Sequence, residues 1–185
     1  MRKILLVVIT VMNVAFSGLH LVPVADAQTT ALGSGGAYNT IESAYPSDLI
    51  IPSIHLASPI QAVGTTSEGA MAVPSGATTN VGWYKYGTIP GATGSAVLDA
   101  HVFAAFAKLK YLKPGSDIYV LAQDGSMRHF VVIRTQTYAN ANVPLNLLFN
   151  RSDGQYLNLI TCAGKLTPDH TTYSARLVVY AKIVG

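Results

Sequence analysis

The sequence predicts an all-β domain of short strands, and three observations carry that reading. Half of the residues are apolar and only 11% are charged, against roughly 25% in an average soluble domain. Such a chain can bury enough surface to offset the entropy of ordering, which excludes intrinsic disorder. From Asp48 onward, segments of β-branched and aromatic residues alternate with clusters of Gly, Pro, Asp and Ser. Nowhere does a repeated strand–helix alternation argue for a parallel α/β sheet.

Taken in order, the expected strands are Leu49–His55, Gln61–Val63, Val81–Tyr84, Ser95–Val102, Asp117–Ala122, His129–Tyr138, Gln155–Thr161 and Tyr173–Ile183. Pro90-Gly91, Pro114-Gly115, Asp124-Gly125 and Ser152-Asp153-Gly154 punctuate them as turns. Asp124-Gly125 between two apolar segments is a hairpin signal, because Gly accepts the positive φ a tight turn needs. Phe103–Leu112 and Val143–Asn150 have the length of one or two helical turns each. About eight short strands with little helix suggest a closed barrel or a sandwich, and closure removes exposed edges.

Ahead of this domain lies an export segment. Arg2 and Lys3 precede an apolar run from Ile4 to Phe16, and Val24-Ala25-Asp26-Ala27-Gln28 provides a small-x-small site. Residues 1–27 therefore read as a signal peptide cleaved after Ala27, or as an N-terminal membrane anchor. The anchor reading is weakened by Asn13, Gly18, His20 and Pro23 within the span. Residues 28–47, rich in Thr, Ser, Gly and Ala, read as a flexible linker, leaving 48–185 as the folded domain. The expected location is extracytoplasmic, anchored at the cell surface or secreted.

Composition narrows the function. The formal charge is +3, but the 12 basic residues are scattered along the chain. Phosphate binding needs several cations converging on one surface, so nucleic acid is not an expected partner. One cysteine rules out an internal disulfide framework and a zinc site built on several thiolates. An exported protein that keeps a single thiol should have a reason for it.

Cys162 follows the apolar stretch Tyr156–Thr161 and precedes Ala163-Gly164, so it is expected at a strand end where a substrate can approach it. Buried, inert packing is the commoner state of a free cysteine. A histidine at another strand end, His101, favours nucleophilic catalysis instead. Asp99 lies two residues earlier, on the same face by the period of two. His55, His129 and His170 read as surface or structural histidines. Arg176 enters the apolar run Tyr173–Ala181 and needs oxygen acceptors or a ligand for its fork of donors.

In this order the residues become recognisable. Leu159-Ile160-Thr161-Cys162, then Arg176 fourteen residues later in Tyr-Ser-Ala-Arg-Leu-Val-Val-Tyr-Ala, resembles the sortases, cysteine transpeptidases of the bacterial cell surface. Ile51-Pro52-Ser53-Ile54, Val81-Gly82-Trp83-Tyr84, the histidine segment and Leu112-Lys113-Pro114-Gly115 support it. The compact layout is most similar to the class E and class F sortases.

The resemblance implies a closed eight-stranded β-barrel with one or two short helices. It implies that Cys162 is the nucleophile, His101 the general acid/base and Arg176 the cation steadying the oxyanion, with Thr161 lining the substrate groove. It implies as partners secreted proteins bearing a C-terminal Leu-Pro-x-Thr-Gly-like sorting signal, and an amine acceptor on a cell-wall peptide or a pilin lysine. No cofactor is implied, and no metal, since the calcium-binding acidic residues of some class A members have no counterpart here. Ala100 stands where many relatives have Gly, and Asp99 is unusual there. Two other classes compete. One is an L,D-transpeptidase-like cysteine enzyme, whose Ser-x-Gly-Cys-like motif Thr161–Gly164 does not match. The other is a non-catalytic exported β-barrel serving binding or structure.

Overall fold

In the computed structural model, which describes residues 44–75 and 78–184, the first strand stops where Pro52 removes a backbone donor. This strand, β1 (Pro46–Ile51), gives way to a 3-10 turn over Pro52–Ile54, and His55 reverses the chain with φ 55°. The strand expected over Leu49–His55 is therefore cut short, and its last residues form the turn that starts β2 (Leu56–Val63). The expected signal or anchor over 1–27, and the linker up to residue 43, lie outside the described residues; Pro46 and Ser47, expected at the end of the linker, instead open β1, where Pro46 pairs with Ala122 of β5. Among the described residues, no helix is long and apolar enough to cross a membrane.

The remaining strands are β3 (Val81–Tyr84), β4 (Gly94–Asp99), β5 (Asp117–Ala122), β6 (Met127–Ala139), β7 (Gln155–Leu166) and β8 (Tyr173–Ile183). Asp124-Gly125 turns β5 into β6, with Gly125 at φ 80°. One short helix, α1 (Leu145–Phe149), falls within the second expected helical segment; the first, Phe103–Leu112, is mostly turns with a 3-10 piece at Leu109–Tyr111.

The strands close into a barrel in the order β1-β2-β3-β4-β7-β8-β6-β5. Two pairings, β2 with β3 and β4 with β7, are parallel. Alternation then divides each strand between two environments. Ala96 and Leu98 of β4, Leu157 and Leu159 of β7, and Val179 and Ala181 of β8 fill the barrel with Trp83, Phe106 and Phe130. Outside it, Val97, Ile160, Val178 and Tyr180 form a second cluster with Leu148 of α1. Asn158, buried between these layers, donates to Ser95 Oγ and to the Leu148 carbonyl, both at 2.8 Å, and so ties α1 to the sheet. That outer face continues, residue by alternate residue, into the candidate site.

Candidate active site

Three strands bring the chemistry together on the outer face. In β7 the outward residues run Asn158, Ile160, Cys162; in β8 they run Tyr180, Val178, Arg176. The antiparallel register sets Cys162 directly opposite Arg176. In β4 the outward residues are Ser95, Val97 and Asp99, with Asp99 paired to Ile160. Asp99 and Cys162 are thus diagonal neighbours on one surface. With His101, Phe103 and His170 they line a groove of about 450 Å³.

Cys162 stands inside a strand and not at its end, which corrects the expectation. β7 runs on to Leu166 because β8 keeps pairing with it past Cys162. The register slips only between Ala163 and Leu166, where Gly164 takes φ 79° and a side chain would collide with Ser174 Oγ. The thiol is partly exposed and free. Burial pushes its pKa above the usual thiol value; the Arg176 charge opposes that rise and the Asp99 charge adds to it.

His101 also lies past its strand. β4 ends at Asp99, not Val102, because the His101 carbonyl accepts from Ala104 and Phe106 and opens a turn. The ring stacks on Phe103 at 4.9 Å and 12°. Its Nε2 lies 2.9 Å from the Pro74 carbonyl. A carbonyl only accepts, so Nε2 carries the hydrogen there and Nδ1 is left to exchange a proton elsewhere. Pro74 approaches this closely because Gly82 has no side chain: a Cβ there would lie 3.0 Å from Pro74 Cδ. Asp99 makes no hydrogen bond to the ring, so a backbone carbonyl and an aromatic face orient it. Pro74 escaped the sequence reading, since every residue carries a carbonyl.

Arg176 is held by oxygen acceptors, as an arginine in an apolar strand requires. Nη1 reaches Asn140 Oδ1 (3.0 Å) and the carbonyls of Tyr173 (3.2 Å) and Ala175 (3.0 Å); Nη2 donates to Thr172 Oγ1 (3.2 Å). Asn140, just past β6, also donates to the Tyr173 carbonyl at 2.7 Å, bracing the start of β8. Nothing in the sequence marked it. Nε–H and one Nη2–H have no acceptor among the described residues, which leaves two of five donors for a ligand.

Thr161 points inward, between Leu159 and the barrel mouth. It is only 1% exposed, and its hydroxyl donates to the Ala100 carbonyl at 2.7 Å. It thereby fastens the nucleophile's strand to the residue before His101. A cavity of about 230 Å³ on the far side of Cys162 is also bordered by Thr161.

Asp99 is the least expected element. Its carboxylate makes no hydrogen bond or ion pair among the described residues, and it lines the groove beside the thiol. Burial pushes its pKa up to about 7, although the Arg176 charge pulls the other way. His170, read from sequence as peripheral, lines the same groove from the β7–β8 loop at φ 57°. His55 and His129 lie elsewhere; His129 Nε2 donates to Asp117 at 2.8 Å and stacks on Tyr119.

Along the same face runs a second, apolar trough of about 560 Å³, bordered by Met71, Tyr84, Tyr86, Leu145, Phe149 and Ile160. Ile160 precedes Cys162 by two residues on that face, so the trough leads toward the sulfur.

Solved structures share this architecture. Sortase C-1 from Actinomyces oris is 27% identical with a TM-score of 0.56, covering 75% of this chain and 71% of that one. A lid mutant of sortase A from Corynebacterium diphtheriae is 24% identical with a TM-score of 0.58, covering 76% and 70%. Sortase C1 from Streptococcus agalactiae is 25% identical with a TM-score of 0.53, covering 75% and 67%. A comparison with curated protein sequences finds no match. The class E or F subtype rests on the layout of the sequence alone. The sequence profile of the Sortase domain matches residues 49–184, nearly the whole of the barrel, and the chain accordingly belongs to the sortase family.

Proposed function

We propose that this sortase cleaves a Leu-Pro-x-Thr-Gly-like sorting signal through a thioacyl intermediate on Cys162 and passes the acyl group to a cell-surface amine. One observation carries the reading: Cys162 lies opposite Arg176 in register, in a groove that His101 also lines. The extended signal lies along the apolar trough, its Leu and Pro against Tyr84, Phe149 and Ile160, and its Thr carbonyl at the sulfur.

The Cys162 thiolate is the attacking species. As sulfur adds to the carbonyl carbon, the two N–H groups of Arg176 without protein acceptors receive the developing oxyanion. One such donor contributes about 10²–10³ in rate. His101, with Nε2 bound to Pro74, uses Nδ1 to protonate the departing Gly amine as the C–N bond breaks. Thr161 touches no substrate through its hydroxyl; it holds the strand of Cys162 against the carbonyl of Ala100. An acceptor amine, from a cell-wall peptide or a pilin lysine, then displaces the thiolate. Residues 1–27 deliver the domain across the membrane as signal or anchor, and the linker that follows, up to the start of β1, tethers it.

The test is intact-mass spectrometry of the protein with a panel of sorting peptides and an amine acceptor. The wild type should gain a thioacyl adduct and form the transfer product, and Cys162→Ala should do neither. Transfer that survives that substitution overturns the mechanism.

A further inference from the structure

An acceptor amine poses a proton problem that one imidazole cannot solve. At neutral pH an aliphatic amine arrives as R–NH₃⁺, and the amide nitrogen it becomes keeps a single hydrogen. Two protons must leave. In the mechanism above His101 emerges neutral from the first half-reaction and can take one.

We propose that Asp99 is a further catalytic residue: its carboxylate seats the acceptor's ammonium beside Cys162 and takes the other proton. The inference rests on the transpeptidase reading and deepens it.

Placement supports the assignment. Asp99 faces outward from β4 and pairs with Ile160, so Cys162 is its diagonal neighbour. With strands about 4.8 Å apart and a rise of about 3.3 Å per residue, diagonal neighbours on a parallel pair stand about 8 Å apart, room for one nitrogen between carboxylate and thioacyl carbon. The carboxylate lines the groove, and no protein group among those described bonds to it. His101 turns its Nε2 to Pro74 and not to Asp99, so orienting the imidazole does not occupy the carboxylate. The titratable and charged groups that share its groove are Cys162 from β7, Arg176 and Tyr173 from β8, His101 beyond β4 and His170 from the β7–β8 loop. Arg176, the cation among them, is engaged by Asn140, Thr172 and two carbonyls. Burial holds the carboxyl near neutrality, where it can accept a proton and release it again.

The step balances. Asp99 takes one proton from R–NH₃⁺, giving a neutral carboxyl and R–NH₂. The nitrogen lone pair forms the N–C bond, and the intermediate collapses as C–S breaks. The second proton passes to Nδ1 of His101. Products are the amide, a Cys162 thiolate beside an imidazolium, and a protonated Asp99 that returns its proton to water.

Hydroxylamine separates the roles, because it is already neutral at neutral pH and needs to lose one proton only. The experiment loads wild type and Asp99→Asn with a sorting peptide and measures transfer to triglycine and to hydroxylamine. Any effect on thioacyl formation cancels in the ratio of the two. That ratio should fall about 100-fold in Asp99→Asn, the size of a general-base contribution. The deficit should shrink at alkaline pH, where triglycine is already deprotonated in solution. Asp99→Ser provides the same comparison if the Asn protein does not fold. An unchanged ratio overturns the role of Asp99 while the transpeptidase reading stands. A wild type that never forms a thioacyl adduct overturns that reading, and this inference with it.

Discussion

Cys162 and Arg176 stand directly across from one another on β7 and β8, with the guanidinium held by Asn140, Thr172 and two backbone carbonyls. The fork is thus aimed before any substrate arrives. Arg176→Lys keeps the charge and loses the planar pair of donors. Thioacyl formation, followed by mass spectrometry, should slow by about 10²–10³-fold. Asn140→Ala should slow it less, because three of the four acceptors remain. Wild-type rates in Arg176→Lys would reduce Arg176 to a strand-bracing role.

His101 depends on a glycine two strands away in sequence. Gly82→Ala puts a methyl 3.0 Å from Pro74 Cδ and 3.1 Å from the Val63 methyls, so Pro74 must retreat and its carbonyl with it. Overpacking of this kind costs roughly 1–3 kcal/mol. Denaturant unfolding should register that loss, and adduct formation should slow beyond what stability explains. An unaltered rate in the folded variant uncouples His101 from Pro74.

Thr161→Val removes the hydroxyl that meets the Ala100 carbonyl and leaves a buried acceptor unpaired. The expected cost is about 1–3 kcal/mol, read by urea titration. Thr161→Ser, which keeps the donor, should recover most of the activity. If Val and Ser variants behave alike, the bond has no positioning role.

The thiol should alkylate slowly at neutral pH. Burial raises its pKa, so iodoacetamide labelling should climb through alkaline pH with a midpoint above that of an ordinary thiol. Removing the Asp99 charge with Asn should lower that midpoint, and removing the Arg176 charge with Met should raise it. A midpoint in the acidic range contradicts the geometry around the sulfur.

Asp99 should also leave a mark on stability. Its pKa rises on folding from about 3.8 to about 7, so within that window the folded state binds the proton more tightly than the unfolded one. Stability relative to Asp99→Asn is therefore lost as pH climbs through the window and is level on either side. With its partial access to water discounted, the swing should be on the order of 1–3 kcal/mol. Paired thermal melts across that range measure it, and parallel curves would deny the shift.

Much of the barrel was legible before folding was considered. β3, β5 and β8 span the residues expected of them, because β-branched runs between turn residues mark extended backbone locally. The same locality misplaced Cys162 and His101. Whether a strand continues depends on its partner: β8 carries β7 past the thiol, and a turn stops β4 before the imidazole. The sequence by itself determined the residue types of the candidate chemistry and most strand segments, since composition and neighbours decide those. Tertiary structure alone decided that β4 lies parallel beside β7, that Asp99 faces the thiol's groove, and that Pro74 and Asn140 hold the ring and the guanidinium. Those relations follow from burying one shared core across distant segments, and an isolated stretch of chain carries no trace of it.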